Sequence, residues 1–354
     1  MRMRIAFVSM FTEQLRADGA TRRMRRVAER LAAHGHDVSV LCAQWWEGDV
    51  PEFEQEGVNY VAVTETPSAT TFASKVPFAL RRVKPDVVHA TNSPPTQVTG
   101  AKTAARLLRV PVVVDWWAER EGDSRGASKR AARGAKRVVT PSQMVKTTVR
   151  EFGVSEDAVR VVPESIDFDL IREAETDDRA DILYSRHLDQ YANVESFFLA
   201  LAELRDKDWR AAVVGDGPER AQAEQTAADL RIDDRVEFLG ELPPEEFVPI
   251  MKGAHVFAQT AAVEPFATPL LWALASGCVG IVEYQARSSA HELVVNCDRG
   301  ARVTSPQELA DEISAAAGYS QESLNEAFAA YDHDDVIRRY ETIYEDAVDD
   351  YGFF

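Results

Sequence analysis

The stretch "EPFATPLLW", residues 264–272, is the densest chemical signal in the chain. Glu264 places a carboxylate just ahead of a helix start, with Thr268 the expected N-cap and Pro269 the expected first helical residue. The backbone N–H groups of Phe266, Ala267 and Thr268 then lie at a helix N-terminus, oriented for phosphate or sugar oxygens. Thr268 and Trp272 are four residues apart and share one helix face. Arg186, in "YSRHLD", follows an expected strand and brings a permanent cation to the region where ligand loops gather in open α/β sheets. Gly215-Asp216-Gly217-Pro218 also follows an expected strand but lacks the third glycine of a dinucleotide fingerprint, which argues against NAD.

Elements able to position these residues are legible along the chain. In the first half, strands are expected near residues 4–9, 37–41, 58–63, 86–89, 112–115 and 137–140, with helices at 20–33 and 96–108. In the second, strands are expected near 181–184, 211–214, 236–238, 256–259 and 279–282. The helices there fall at 194–204, 219–230, 245–253 and 269–275. Continuous β-branched runs joined by amphipathic crossovers mean buried parallel strands, so each half reads as an α/β, doubly wound Rossmann-like sheet. A length of 354 residues suits two such domains. The expected boundaries are 1–165, 166–335 and a closing helix in 336–354, with "VVPESIDFDLIRE" (161–173) as linker. Two open sheets present their ligand loops to a central crevice, where function is expected.

Charge is divided unevenly. The net of −18 comes from residues 171–354, because residues 1–170 carry 25 Lys+Arg against 21 Asp+Glu. Such acidity suits a salt-rich cytoplasm in the manner of halophile proteins. Cys42, Cys278 and Cys297 have no metal-type spacing and read as buried thiols. No apolar run is long enough to span a membrane, and the sequence opens into a strand without a cleavable leader pattern, so a cytoplasmic protein is expected.

Several segments in order, including "KPDVVHA", "VVTPSQMVKTTVREFGV", "AAVVGDGPER", "RVEFLGELPPEE" and "EPFATPLLWALASGCVGIV", resemble family-4 retaining glycosyltransferases of the GT-B fold. The resemblance covers nearly the whole chain. It implies an acceptor-side N-terminal domain, a C-terminal domain holding a nucleotide-sugar donor, and a last helix that crosses back to the first domain. It implies Arg186 as a clamp on the donor diphosphate and Glu264 as the contact to the transferred sugar. It further implies Gly19 and Gly215 as points of close backbone approach to the donor, with Phe266, Ala267, Thr268 and Trp272 lining it. This chain departs from the family pattern at several positions. Ala192 stands where a lysine is usual, Asp18 replaces the glycine before Gly19, and Trp272 replaces a second glutamate that would accept from ribose hydroxyls. Asp115, Trp116 and Trp117, in "VVVDWW", are the acceptor-side candidates.

The expected activity is transfer of a sugar from a nucleotide-sugar to a saccharide or lipid-linked acceptor, with no metal and no other cofactor. The rival readings are a non-catalytic GT-B binding protein, prompted by the missing lysine and glutamate, and a different GT-B enzyme such as an epimerase. Arg22, Arg23, Arg25, Arg26 and Arg30 on one short helix suggest peripheral contact with an anionic membrane at its cytoplasmic face. No nucleic-acid recognition motif accompanies the charge, so no nucleic-acid partner is expected.

Overall fold

The computed structural model describes residues 2–119 and 122–352. The chain divides into two compact units, Met1–Pro163 with Asp334–Phe354, and Glu164–His333. Unit 1 is built on eight strands: β1 (Arg4–Val8), β2 (Asp37–Ala43), β3 (Glu52–Gln55), β4 (Val58–Thr64), β5 (Val87–Thr91), β6 (Val112–Asp115), β7 (Arg137–Thr140) and β8 (Val159–Val161). Their order is β3-β4-β2-β1-β5-β6-β7-β8, parallel except where β3 returns antiparallel onto β4. Helices α1 (Gly19–Ala33), α2 (Ala69–Val83), α3 (Pro95–Leu108), α4 (Arg125–Ala132) and α5 (Gln143–Glu151) supply the crossovers.

Unit 2 holds a wholly parallel six-stranded sheet in the order β11-β10-β9-β12-β14-β16. Its strands are β9 (Ile182–Ser185), β10 (Ala211–Val214), β11 (Val236–Gly240), β12 (Val256–Gln259), β14 (Val279–Glu283) and β16 (Gly300–Val303). A separate two-stranded ribbon pairs β13 (Val263–Glu264) with β15 (Arg287–Ser288). The helices are α6 (Phe168–Glu173), α7 (Val194–Glu203), α8 (Arg220–Asp229), α9 (Pro244–Gly253), α10 (Thr268–Ala275), α11 (His291–Val294) and α12 (Pro306–Ala316).

The last helix, α13 (His333–Gly352), belongs to unit 1 over almost all its length. Val336, Ile337, Tyr340, Ile343, Tyr344 and Ala347 recur at three- and four-residue intervals, giving it one apolar stripe. That stripe is buried with Ile5, Phe7, Val38 and Val113 in the core beneath the sheet. The expected linker at 161–173 is only partly irregular: Asp167 caps α6 by accepting from the Leu170 N–H at 2.9 Å, and Phe168 and Ile171 are buried. Among the described residues no helix is long and apolar enough to cross a membrane.

Candidate active site

In unit 2 the strand order reverses between β9 and β12, and the carboxyl ends of such a pair open the crevice where α/β sheets bind ligands. Arg186 is the first residue after β9, and its N–H donates to the Val214 carbonyl of β10 at 3.0 Å. Gly215 follows β10 at φ +135°, and a Cβ there would stand 2.0 Å from the Arg186 carbonyl oxygen. Glycine is therefore required to seat the Arg186 backbone. Glu264 ends β13, and its own carbonyl accepts from the Ser289 N–H at 2.8 Å. Ser289 Oγ donates to the Pro265 carbonyl at 2.6 Å, fixing the next residue as well.

These supports bring Arg186 and Glu264 together as a close ion pair, with side chains only 12% and 15% exposed. Asp189 stands 3.6 Å from the other guanidinium terminus. Arg186 Nε is buried with no hydrogen-bond partner, so the cation keeps a directed N–H in reserve. Burial pushes the Glu264 carboxyl up to about 7, against the opposing pull of Arg186 and of the Phe266 N–H. Near neutrality the pair is thus poised between a locked salt bridge and a neutral acid beside a freed guanidinium.

The helix start differs from expectation. Ala267 is the N-cap of α10, Thr268 is its first residue, and no side chain caps it. The Thr268 N–H donates to the Phe266 carbonyl at 3.0 Å, and the Phe266 N–H serves the Glu264 carboxylate. Two of the three expected N–H donors are therefore occupied locally, because the chain folds back tightly before Pro269. Phe266 and Ala267 are themselves buried. Thr268 and Trp272 share a partly exposed face, whereas Leu270, Leu271, Ala273 and Leu274 fill the core. Trp272 is therefore only partly exposed, at the margin of the core.

The place of the missing lysine is given to structural uses. Ala192 is buried, and its carbonyl accepts from the Tyr184 hydroxyl at 2.6 Å. Asn193 caps α7 at φ +52° and exchanges hydrogen bonds with Thr260 at 2.9 and 2.7 Å. Glu283, a conceivable replacement acceptor, is buried and engaged by Ser196 and by Gln285. Asp189 and Ser289 were not singled out from sequence. Asp189, three residues after the clamp arginine, is the one a closer look at "RHLD" could have found.

The acceptor-side candidates lie in unit 1, and the structure corrects two of them. Asp115 is 5% exposed and its carboxylate takes the Arg23 guanidinium at 3.0 Å and the Tyr340 hydroxyl at 2.8 Å. Burial pushes this carboxyl up, but Arg23, helped by His89 and Tyr340, more than offsets that and holds it down at about 2. Asp115 is a buried counter-ion and not a group facing an acceptor. Trp116 is fully buried against Phe152, with ring centroids 5.5 Å apart, so neither face is free to stack on a sugar. Trp117 remains partly exposed, and a Cβ on Gly19 would meet its ring at 2.6 Å. Gly19 thus serves to let Trp117 lie flush on the start of α1. Asp18, the departure from a glycine pair, caps that helix through the Thr21 N–H at 2.9 Å and is itself paired with Arg16 at 2.8 Å.

One cation of the stripe expected along α1, Arg23, is also corrected. Arg23 is 3% exposed, and besides Asp115 it donates to the carbonyls of Val162 at 2.7 Å and Pro163 at 3.1 Å. Arg22 and Arg25 are exposed but lie 3.5 and 3.1 Å from Glu13. The helix is thus stitched to its own unit.

Comparison with known proteins gives consistent matches over both halves. Residues 17–170 match the family described as Glycosyltransferase Family 4, and residues 166–331 match Glycosyl transferases group 1. A GDP-mannose-dependent alpha-mannosyltransferase of Corynebacterium glutamicum is 26% identical over 289 residues, 73% of this chain and 67% of that protein. Among solved structures, a glycosyltransferase from Rickettsia africae superposes with a TM-score of 0.80 at 14% identity, covering 98% of this chain and 99% of that one. Anabaena HepE in complex with UDP superposes with a TM-score of 0.77 at 18% identity, covering 97% and 100%. The two structural likenesses establish the GT-B fold.

Proposed function

Because this chain belongs to the glycosyltransferases, family 4 over its first half and group 1 over its second, we propose that it takes a sugar from a nucleotide-sugar bound by unit 2. The sugar passes to a saccharide or lipid-linked acceptor with its anomeric configuration retained, and unit 1 serves the acceptor. The observation that carries this reading is the buried Arg186–Glu264 pair with its unpartnered Arg186 Nε, set at the strand reversal of unit 2. A donor diphosphate competes with Glu264 for the guanidinium and finds a ready N–H. The displaced Glu264 is then free to hold hydroxyls of the transferred sugar. The acceptor hydroxyl attacks on the face the diphosphate leaves, and the departing phosphate oxygen takes its proton. The guanidinium stabilises charge as it develops on that oxygen. The mannosyltransferase similarity and the UDP complex of HepE support a nucleoside-diphosphate donor.

A thermal-shift screen with UDP-, GDP- and ADP-sugars tests the reading directly, because a donor stabilises the protein by mass action. One of these donors is expected to raise the melting temperature of the parent, and Arg186→Ala is expected to lose most of that donor-induced rise while remaining folded. Equal protection of both proteins would remove Arg186 from the diphosphate.

Trp272 belongs to the same reading as a stacking surface beside Thr268. An indole offers no acceptor to ribose hydroxyls, so Trp272→Glu is expected to tighten binding of a ribonucleotide donor by roughly 10-fold, the worth of a charge-assisted hydrogen bond. Titration calorimetry reads it; unchanged or weaker binding would place the ribose elsewhere.

A further inference from the structure

We propose that the Gln259 side-chain amide is a second hydrogen-bond donor to the diphosphate of the nucleotide-sugar, acting beside Arg186. The inference rests on the reading of unit 2 as the donor-binding unit and adds a residue to it.

Gln259 ends β12, the strand next to β9 where the order of the sheet reverses. Ala258 pairs with Tyr184 in that ladder, so Gln259 stands beside Ser185, the residue before the clamp arginine. Gln259 is 1% exposed, and its Nε2 has no hydrogen-bond partner. The other end of the amide is engaged, because Oε1 accepts from the Ala261 N–H at 3.3 Å. Only the oxygen can accept from that backbone donor, so the amide has one orientation and both N–H bonds of Nε2 stay unused. The same bond turns the side chain towards the residues that follow β12, at the carboxyl edge where α/β sheets bind ligands.

A buried donor without a partner costs stability, and folded proteins keep few of them. Among the described residues, unit 2 holds four buried side-chain atoms in this state: Arg186 Nε, Gln259 Nε2, Ser276 Oγ and Arg299 Nη2. Ser276 and Arg299 come just before β14 and β16, at the amino ends of the strands. Arg186 and Gln259 stand at the carboxyl ends of two adjacent strands. The pair at the ligand end shares one chemistry, since each offers an N–H to an acceptor that the protein does not supply.

The need for a second donor is local. No lysine or other arginine occurs between Arg186 and Asn193, and the Arg186 guanidinium already faces Glu264 and Asp189. The residues around Ala192 are bound directly to those that follow Gln259. Asn193 Nδ2 donates to the Thr260 carbonyl at 2.9 Å, and Thr260 Oγ1 donates to the Asn193 carbonyl at 2.7 Å. The Ala262 N–H donates to the Tyr191 carbonyl at 2.9 Å. Gln259 therefore offers its N–H groups from the segment joined to the one that lacks a cation. A diphosphate has acceptor oxygens on both phosphorus atoms, enough to engage the guanidinium and the amide together. The amide is neutral, so it adds a bond without adding charge.

Titration calorimetry on the full-length protein tests the assignment, using the nucleotide-sugar that protects it best and the matching nucleoside diphosphate. Gln259→Met keeps the unbranched length and removes the N–H donors. It is expected to weaken both ligands about tenfold, while the melting temperature of the unliganded protein stays level or rises. Gln259→Glu keeps an acceptor for the Ala261 N–H but sets a carboxylate towards the diphosphate, and is expected to weaken both ligands about a hundredfold. Circular dichroism checks both folds, and Gln259→Met decides alone if Gln259→Glu does not fold. Parent-like affinity of Gln259→Met for both ligands, with Arg186→Ala still losing its donor, overturns the role of Gln259 and leaves the donor reading standing. A loss confined to the nucleotide-sugar removes the amide from the diphosphate and overturns the proposal as well. So does a fall in the unliganded melting temperature with affinity unchanged, the mark of a merely structural amide. Failure of every nucleotide-sugar and nucleoside diphosphate to bind the parent overturns the donor reading, and this proposal with it.

Discussion

Glu264→Ala is expected to lower turnover about 10²–10³-fold, the usual consequence of removing one preorganised polar group from a water-poor reaction centre. The fold should survive, because the β13–β15 pairing and the Ser289 bonds that shape this segment are made by its backbone carbonyls. Glu264→Gln sharpens the test. With the Glu264 carboxyl held near 7 by burial, ionisation above that pH locks Arg186 and adds a negative charge beside the incoming diphosphate. Below it the acid is neutral and the guanidinium is released. Donor affinity is therefore expected to fall as pH rises through about 7. The amide introduced by Glu264→Gln cannot titrate, so the affinity profile of that variant should be flat. A nucleotide-sugar is the right probe, because its diphosphate does not itself titrate in this window. Turnover of Glu264→Ala equal to the parent's, with a verified donor and acceptor, would remove Glu264 from the chemistry.

The second large effect is on stability. Arg23→Ala is expected to cost unit 1 about 3–5 kcal/mol, because Asp115 is left as an uncompensated buried charge. The Val162 and Pro163 carbonyls lose their donor at the same time. Asp115→Ala should cost a comparable amount for the mirror-image reason. The double variant Arg23→Met with Asp115→Leu should recover more than half of either loss, since no charge then remains buried. Urea unfolding with matched m-values reads all three. Asp115 also carries a pH signature. Its folded value near 2 lies below the ordinary 3.8, so its stabilisation is present above the ordinary value and is lost as pH falls from there towards 2. Simple additivity of the two single losses would mean that the groups act separately.

The residues involved show where sequence was informative and where it was not. Strands such as β1, β5, β6, β12 and β14 are legible because buried parallel strands are continuous apolar runs. β16, "GARV", offers too little apolar length, and α2 is broken in pattern by Pro77 and a run of small residues. Arg186 and Glu264 stand out by type and by the elements that flank them, while the donor roles expected of them come from the resemblance to family-4 glycosyltransferases. Burial depth was the harder quantity. Asp115 and Trp116 end an apolar strand, and nothing in "VVVDWW" tells which of the following side chains turns inward. For Arg23 there was a signal: it is spaced four and eight residues from Val27 and Leu31, on the buried stripe of α1. A charged residue in phase with an apolar stripe is a buried ion in search of a partner, and Asp115 is that partner.

The assignment of α13 to unit 1 has a consequence for the order in which the chain is made. Unit 2 is one uninterrupted segment, Glu164–His333, whereas unit 1 is split around it. Synthesis runs from the N-terminus, and domains ordinarily close in the order they emerge. Here that order is inverted at the finish. Unit 2 has all its residues once His333 has been added, while unit 1, begun first, still lacks Tyr340 and Tyr344 of its core. Until they arrive, Asp115 waits without the Tyr340 hydroxyl, and the underside of a nascent sheet carrying Ile5, Phe7 and Val113 stays uncovered. At that stage every residue of unit 2 has been added, while the N-terminal sheet is still open on one side. The helix that follows unit 2 in the chain closes the unit that was begun before it.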